Sequence, residues 1–243
     1  MNRIAVILLL AVMVPSIASA QEKVTMGLNL HVVSPQGPFA QNVDRLGFGG
    51  QFTGAYRFDR TPISIGAELS FHNYGIDSRV EALSSTIPDL RVEVQNSYNQ
   101  LALMLSARAE PYTSGSVRPY LEALWGTNYF FTETSIHNRF SSGEEPIASD
   151  TNIDDWAMAW GGGAGVQIKI HETESQVFGG FDEEMKTVPT NVFLNLGVRY
   201  LYGNEATYLK EGSVRVSNGT VTYDTSRSKT DMMVFQVGVT VKF

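Results

Sequence analysis

The last eleven residues, Met233 to Phe243 (MVFQVGVTVKF), constrain the fold more than any other stretch. Counting back from Phe243, every second residue is apolar: Val241, Val239, Val237, Phe235 and Met233. Lys242, Thr240, Gly238 and Gln236 lie between them, with Val234 as the one apolar exception. Successive side chains of an extended chain point to opposite sides, so this period of two marks a strand with one apolar face and one small or polar face. The apolar face runs out to an aromatic residue with no polar tail, whereas chain ends in water usually fray. Such a strand needs either lipid or a second sheet against it.

The opposite end of the chain chooses between these. Met1 to Ala20 has a basic start at Arg3, an apolar core from Ile4 to Val14, and the small residues Ala18-Ser19-Ala20 at its close. That is the layout of a secretory signal peptide. Its core is shorter than the roughly 20 apolar residues of a spanning helix. Residues 1–20 are expected to be removed, leaving residues 21–243 as one mature domain that begins at Gln21. No cysteine follows the cleavage site, and no later apolar run is long enough to span as a helix. In lipid every backbone N–H and C=O must be satisfied internally, which admits only helices and closed barrels. The expectation is an all-β chain closed in an outer membrane.

The alternation recurs seven times before the terminal strand. Val24–Val33, Leu46–Phe58 and Ile63–Tyr74 each set apolar residues against Gly, Ser, Thr, Asn or Gln. A strand ending Leu101, Leu103, Leu105, Ala107 follows, then one from Arg118, then Asp155–Ile170 and Asn191–Tyr202. Eight strands predict an antiparallel up-and-down transmembrane barrel, with each strand about the 9–11 residues that a tilted crossing needs. Ser34–Arg45, Gly75–Glu93, Thr132–Asn152 and Gly203–Asp231 are expected to be polar outer loops. The turns after strands two and four are short, which places both chain termini on the periplasmic side. His171–Thr190 departs from that pattern, and a helical turn is expected at Asp182–Lys186.

The stretches PYLEALWG (Pro119 to Gly126), WGGGAGVQIKI (Trp160 to Ile170), LNLGVRYLYG (Leu194 to Gly203) and the terminal VGVTVKF resemble the small eight-stranded outer-membrane barrels, the OmpA-like and OmpX-like group. The resemblance covers the mature chain and implies a Gram-negative outer membrane with its lipid and lipopolysaccharide as surroundings. It also implies that Phe235, Val237, Val239, Val241 and Phe243 form an assembly signal read by the barrel-assembly machinery. Aromatics at strand ends fit two interfacial girdles: Phe71, Tyr129, Phe131, Trp156, Tyr200 and Tyr202 outside, Tyr56, Phe58 and Phe243 inside.

The polar face is the candidate site. Its charges are Arg57, Glu68, Arg108, Glu122, Lys169, Arg199 and Lys242. Glu68, Arg108 and Glu122 fall on consecutive strands near the periplasmic end, and strands lie about 4.8 Å apart, so they are expected to pair, with Arg199 reaching them across the lumen. In that arrangement Arg108 stands between two carboxylates, and Arg108→Ala would strand both. Charges in a narrow lumen have to be paired, and an eight-stranded barrel is about filled by its own side chains. Two readings follow: a plugged structural or surface-interaction barrel, with an extracellular ligand on its long loops, or a narrow channel for ions or small solutes.

An enzyme acting on lipid A is a further alternative within the same group. It would need His beside Ser on a lipid-facing strand; His31 and His72 instead face inward near Ser70, and no catalytic residue is assigned. The acidic loop of Glu133, Glu144, Glu145, Asp150, Asp154 and Asp155 lacks a calcium-site spacing. No cofactor or metal is expected. After the signal peptide takes Arg3 from the 18 basic residues, 17 remain against 25 acidic ones, a formal charge of −8 that argues against nucleic acid.

Overall fold

A computed structural model describes residues 22–82, 91–111, 115–138, 148–177, 186–209, 215–217, 220–222 and 225–243. Eight strands close a barrel: β1 (Val24–Pro35), β2 (Gly47–Arg57), β3 (Ile63–Ala82), β4 (Arg91–Ala109), β5 (Val117–Asn138), β6 (Ala148–Val177), β7 (Lys186–Gly203) and the terminal β12 (Met232–Lys242). Around the wall the order is β1, β12, β7, β6, β5, β4, β3, β2, and each neighbour is antiparallel. The seam joins the two ends of the chain: Phe243 N–H donates to the Val24 carbonyl at 2.9 Å, and Val24 N–H donates back at 3.3 Å. Every wall strand is paired on both edges, the condition for crossing lipid in strands. Among the described residues no helix is long and apolar enough to cross a membrane.

The expected alternation sets the two faces. Leu28 and Leu30 are 66% and 69% exposed on the outer face, while Asn29 and His31 between them are buried. An exposed apolar band of this kind suits lipid and would be a liability in water. Tyr129 packs at a tilt against Trp156 at 4.6 Å and Trp160 stacks on Tyr202 at 4.7 Å on the outer aromatic belt, with Tyr56 and Phe58 at 6.0 Å on the inner one.

Several boundaries differ from the sequence expectation. β3, β4, β5 and β6 run to 20, 19, 22 and 30 residues, well past a membrane crossing. Much of the expected outer loops Gly75–Glu93 and Thr132–Asn152 is therefore strand. Beyond the lipid the outer face of these hairpins no longer has to be apolar, and the inner face buries polar residues such as Asn96 and Thr132, so the apolar–polar alternation of the sequence weakens. β3 also shifts register between Asn73 and Ile76. Gly75 sits there at φ +127°, a backbone state that favours glycine, and a Cβ on it would meet Arg45. The bulge reverses the parity of the strand, so Ile76 and Val80 face outward after it.

The connection after β6, expected on the periplasmic side, begins as an extended ribbon, with β6 pairing β7 as far as Val177 and Lys186. Lys186 is strand; the rest of the helical turn expected at Asp182–Lys186 falls outside the described residues. The outer segment after β1 holds a short helix, α1 (Gly37–Asn42), where a loop was expected. The segment before β12 folds into two small hairpins, β8 (Glu205–Leu209) with β11 (Thr225–Lys229) and β9 (Arg215–Ser217) with β10 (Thr220–Thr222).

Candidate functional site

The lumen is layered. Its inner half is charged, and two ion-pair arrays fill it. In the first, Arg199 of β7 donates from Nη1 and Nη2 to Glu68 of β3 at 2.7 and 3.1 Å, and from Nε to Glu122 of β5 at 2.5 Å. Arg108 of β4 donates to the other oxygen of Glu122 from Nη2 at 2.9 Å, and its guanidinium lies 4.1 Å over the Tyr120 ring. Two carboxylates thus meet two guanidiniums, and all four side chains are buried. An amide relay continues it: Asn195 donates to Asn29 at 2.8 Å, Asn29 to Gln51 at 2.9 Å, and Gln51 to Glu68.

The four residues expected to meet do share this array, but their order differs. Arg199, and not Arg108, stands between Glu68 and Glu122; Arg108 holds only Glu122. Adjacency along the wall favoured Arg108, whereas strand tilt and a long guanidinium reaching across the lumen favour Arg199. β7 and β3 stand four strands apart in either direction around the eight-strand wall, so the Arg199–Glu68 pair spans the full width of the lumen.

The second array lies toward the barrel end that holds both chain termini. Lys242 of β12, fully buried, donates to Glu110 at 2.6 Å, and Glu110 also takes Arg57. Arg118 of β5 pairs with Glu22 just before β1, and Asn191 donates to Glu22 at 2.5 Å. Phe193 is held between cations, 4.6 Å below Arg118 and 5.1 Å from Lys242. These contacts also join opposite walls, β12 to the end of β4 and β5 to the start of β1. Glu110, Arg118 and Glu22 were not in the expected set, although Glu110 continues the parity of Arg108 and Arg118 that of Tyr120. Lys169 leaves the lumen at the rim and pairs with Glu172 at 2.8 Å.

Glycines on β6 make the room. A Cβ on Gly163 would come within 2.8 Å of the Arg199 Cγ, and one on Gly165 within 2.4 Å of the Tyr120 ring. Tyr120 then accepts a hydrogen bond from Gln236 of β12 at 2.8 Å. The glycine run in WGGGAGVQIKI is therefore a recess for two large lumenal side chains.

The outer half holds an apolar cluster together with the buried polar side chains Gln100, Asn128 and Thr132. Val33, Met104, Leu124, Phe130, Leu201 and Val234 belong to one buried cluster there. α1 and β8 fold over it, and Phe39 lies edge-on to Tyr74, Phe130 and Tyr208 at 5.7, 5.7 and 5.3 Å. Asp155 ties β8 to the wall by accepting the Thr207 N–H at 2.7 Å, which holds its carboxyl below the usual range. Between the two halves His31 and His72 stack, their rings 5.2 Å apart with Nδ1 and Nε2 at 2.9 Å. Ser70 shares the lumen with them. Among the described residues no three His, Asp or Glu gather as a metal site. The His137 side chain and residues 139–147 of the acidic loop lie outside the description.

No curated protein sequence matches the chain. Among solved structures it resembles Neisserial surface protein A, at 15% identity and TM-score 0.45, over 93% of this chain and 100% of the other. It also resembles a major outer membrane protein of Thermus thermophilus, at 10% identity and TM-score 0.43, over 90% and 99%. A third is Ail, the attachment invasion locus protein of Yersinia pestis, in complex with the heparin analogue sucrose octasulfate, at 13% identity and TM-score 0.37, over 91% and 97%. The family described as outer membrane protein beta-barrel domain matches residues 4–243, almost the whole sequence. With the closed eight-stranded wall and its apolar outer band, that match makes the chain a member of the outer membrane protein beta-barrel family.

Proposed function

We propose that this protein is a non-enzymatic barrel in the outer membrane of a Gram-negative bacterium, with its lumen shut by paired charges and its outer loops serving surface interactions. The cross-lumen contact from Arg199 to Glu68 carries the reading. A side chain anchored to both opposite walls occupies the path an ion would take, and it is repeated nearer the periplasm by Lys242 with Glu110 and Arg118 with Glu22. Moving these groups aside breaks buried ion pairs at a cost of about 3–5 kcal/mol each, which opposes steady conduction.

The apolar band takes membrane lipid and lipopolysaccharide as its surroundings. Phe235, Val237, Val239, Val241 and Phe243 serve as the signal for the barrel-assembly machinery, and the raised β3–β6 hairpins offer the surface for an extracellular ligand. The stacked His31 and His72 lie inside the wall, out of reach of lipid A, which supports the non-enzymatic reading. The test is conductance across a planar bilayer containing refolded protein. Little or no steady current is expected from the wild type, and leakier behaviour from Arg199→Met. Large, stable single-channel currents that Arg199→Met leaves unchanged would make the protein a channel.

A further inference from the structure

The outer half of the lumen is lined mainly with aliphatic and aromatic side chains, and its buried polar groups differ in one respect: Gln100 accepts a hydrogen bond from the Tyr74 hydroxyl at 2.5 Å, whereas Asn128 has no such partner. Asn128 of β5 is fully buried, and neither its Nδ2 nor its Oδ1 has a hydrogen-bond partner among the described residues. Its cross-strand neighbours are Ala102 on β4 and Ala157 on β6, both small and both part of the apolar cluster. The next lumen-facing residue outward on β5 is Phe130, which belongs to the same cluster. An unpartnered amide in such a place is unfavourable, and leucine would fill the position without that cost.

Phe130, two residues farther out on β5, meets a side chain that comes from a loop and not from the wall. Phe39 is the one buried residue of α1, and it inserts against Phe130. α1 has six residues and no side-chain cap, too short to be a stable helix by itself. It is tied to the barrel end through the Gln36 N–H, which donates to the Asp231 carbonyl at 2.9 Å. The phenyl ring thus belongs to the same apolar cluster as Ala102, Ala157 and Phe130, the residues that flank Asn128 across and along the strands.

We propose that the outer half of the lumen is a binding chamber for a small, neutral, largely apolar molecule bearing one hydrogen-bonding group. Asn128 is its polar anchor, and Phe39 is a built-in plug that the ligand displaces from the outside. An amide both donates and accepts, so an alcohol, an amide or a carbonyl compound suits it. The ligand is neutral because the apolar cluster around Asn128 contains no charged side chain. Small residues at Ala102, Ala157 and Ala159 leave the wall flat where a ring would lie. The inference goes beyond the closed-barrel reading and stands apart from it, since the lining belongs to the outer half whether or not the inner half conducts.

The experiment uses the refolded barrel in lipid nanodiscs, with 4-fluorobenzyl alcohol as probe and 4-fluorotoluene as the control that lacks a hydroxyl. Fluorine NMR reads binding, and unlabelled benzyl alcohol separates a saturable site from partition into lipid. Phe39→Ala removes the competing ring and is expected to tighten alcohol binding by about tenfold or more, by raising the fraction of binding-competent barrel. It should prefer the alcohol to the toluene. Asn128→Leu in the same background should abolish that preference. Asn128→Leu alone, with the plug in place, gives an independent measure and should resist urea at least as well as the wild type. Equal, non-saturable partition in Phe39→Ala and wild type would overturn the proposal. So would an alcohol preference that survives Asn128→Leu, or a clear loss of stability in the single variant, which would make the amide a satisfied structural group.

Discussion

Replacing Arg199 with methionine removes the charge from the centre of the first lumenal array and keeps most of the side-chain length. Glu68 loses both of its guanidinium donors, at 2.7 and 3.1 Å, and keeps only the Gln51 amide. Glu122 loses one donor and keeps Arg108. The variant therefore strands one buried carboxylate and weakens a second. Breaking a buried pair from one side costs about 3–5 kcal/mol. An independent figure agrees: unit charges about 4 Å apart attract by about 4 kcal/mol at an effective dielectric near 20. Arg108→Met leaves Glu122 with Arg199 and Glu68 untouched, so its cost should fall nearer the 1–3 kcal/mol of a lost hydrogen-bond partner to a buried group.

The assay is urea unfolding of the barrel in lipid vesicles, followed by gel mobility without boiling and by fluorescence of Trp125, Trp156 and Trp160. With a slope of about 2 kcal/mol per molar urea, Arg199→Met should lower the midpoint by about 1.5–2.5 M and Arg108→Met by about 0.5–1.5 M. Neutralising the stranded partner should recover part of the loss, so Arg199→Met with Glu68→Gln should be more stable than Arg199→Met alone, by the 0.5–3 kcal/mol typical of coupled neighbours. An equal or larger loss in Arg108→Met, or a double variant no better than the single, would refute the assignment of Arg199 as the hub.

Four other outcomes are expected. Gly165→Leu should cost about 1–3 kcal/mol or more by overpacking, because a Cβ there meets both the Tyr120 ring and the Leu196 carbonyl at 2.5 Å; Tyr120→Leu in the same chain should recover only the part due to the ring in the same urea assay. Asp155 has a depressed folded-state pKa, so its contribution is present above the unfolded value of about 3.9 and is lost as pH falls through the lower folded value; hydrogen exchange in β8 should rise on acidification below about pH 4, and Asp155→Asn should raise it at neutral pH. Deleting Phe243 removes a seam partner and the last residue of the proposed assembly signal together, so the shortened chain should accumulate unfolded in the periplasm while still refolding into detergent; normal levels of folded barrel in cells would count against this. Intact mass of protein extracted from membranes should begin at Gln21, and a species retaining Met1–Ala20 in that fraction would contradict cleavage.

The wall was legible because lipid imposes one rule on it. Each lipid-facing position must be apolar, each lumenal one is free to be small or polar, and Leu28, Leu30, Phe235, Val237 and Val239 obey that rule without local help. Where lipid ends, so does the rule. The outer parts of β3 to β6 bury polar residues such as Asn96 and Thr132 on the inner face, and the Gly75 bulge reverses parity, so these hairpins looked like loops. Identity and parity placed Glu68, Arg108, Glu122 and Arg199 inside. They did not supply depth or the opposite wall, which depend on strand tilt and on the circular order of strands. Arg199 reaching from β7 to β3 could not be read from neighbours in sequence.

The apolar half of the lumen had a signal, but one carried by exceptions to the pattern. Met104, Leu124, Phe130 and Val234 sit at lumenal parity among glycines, serines and charges, and an alternation count treats each as noise. Their common feature is contact: they come from β4, β5 and β12, and they pack into one buried cluster. A barrel whose task was only to cross lipid could fill that layer with the same polar residues as the inner half. Apolar residues there lose no contact with lipid and gain none with water, so their use is decided by what they pack against inside. In this chain that is Phe39 on one side and an unsatisfied Asn128 on the other. The outer wall belongs to the membrane, and the breaks in its period mark the surfaces that are specific to this protein.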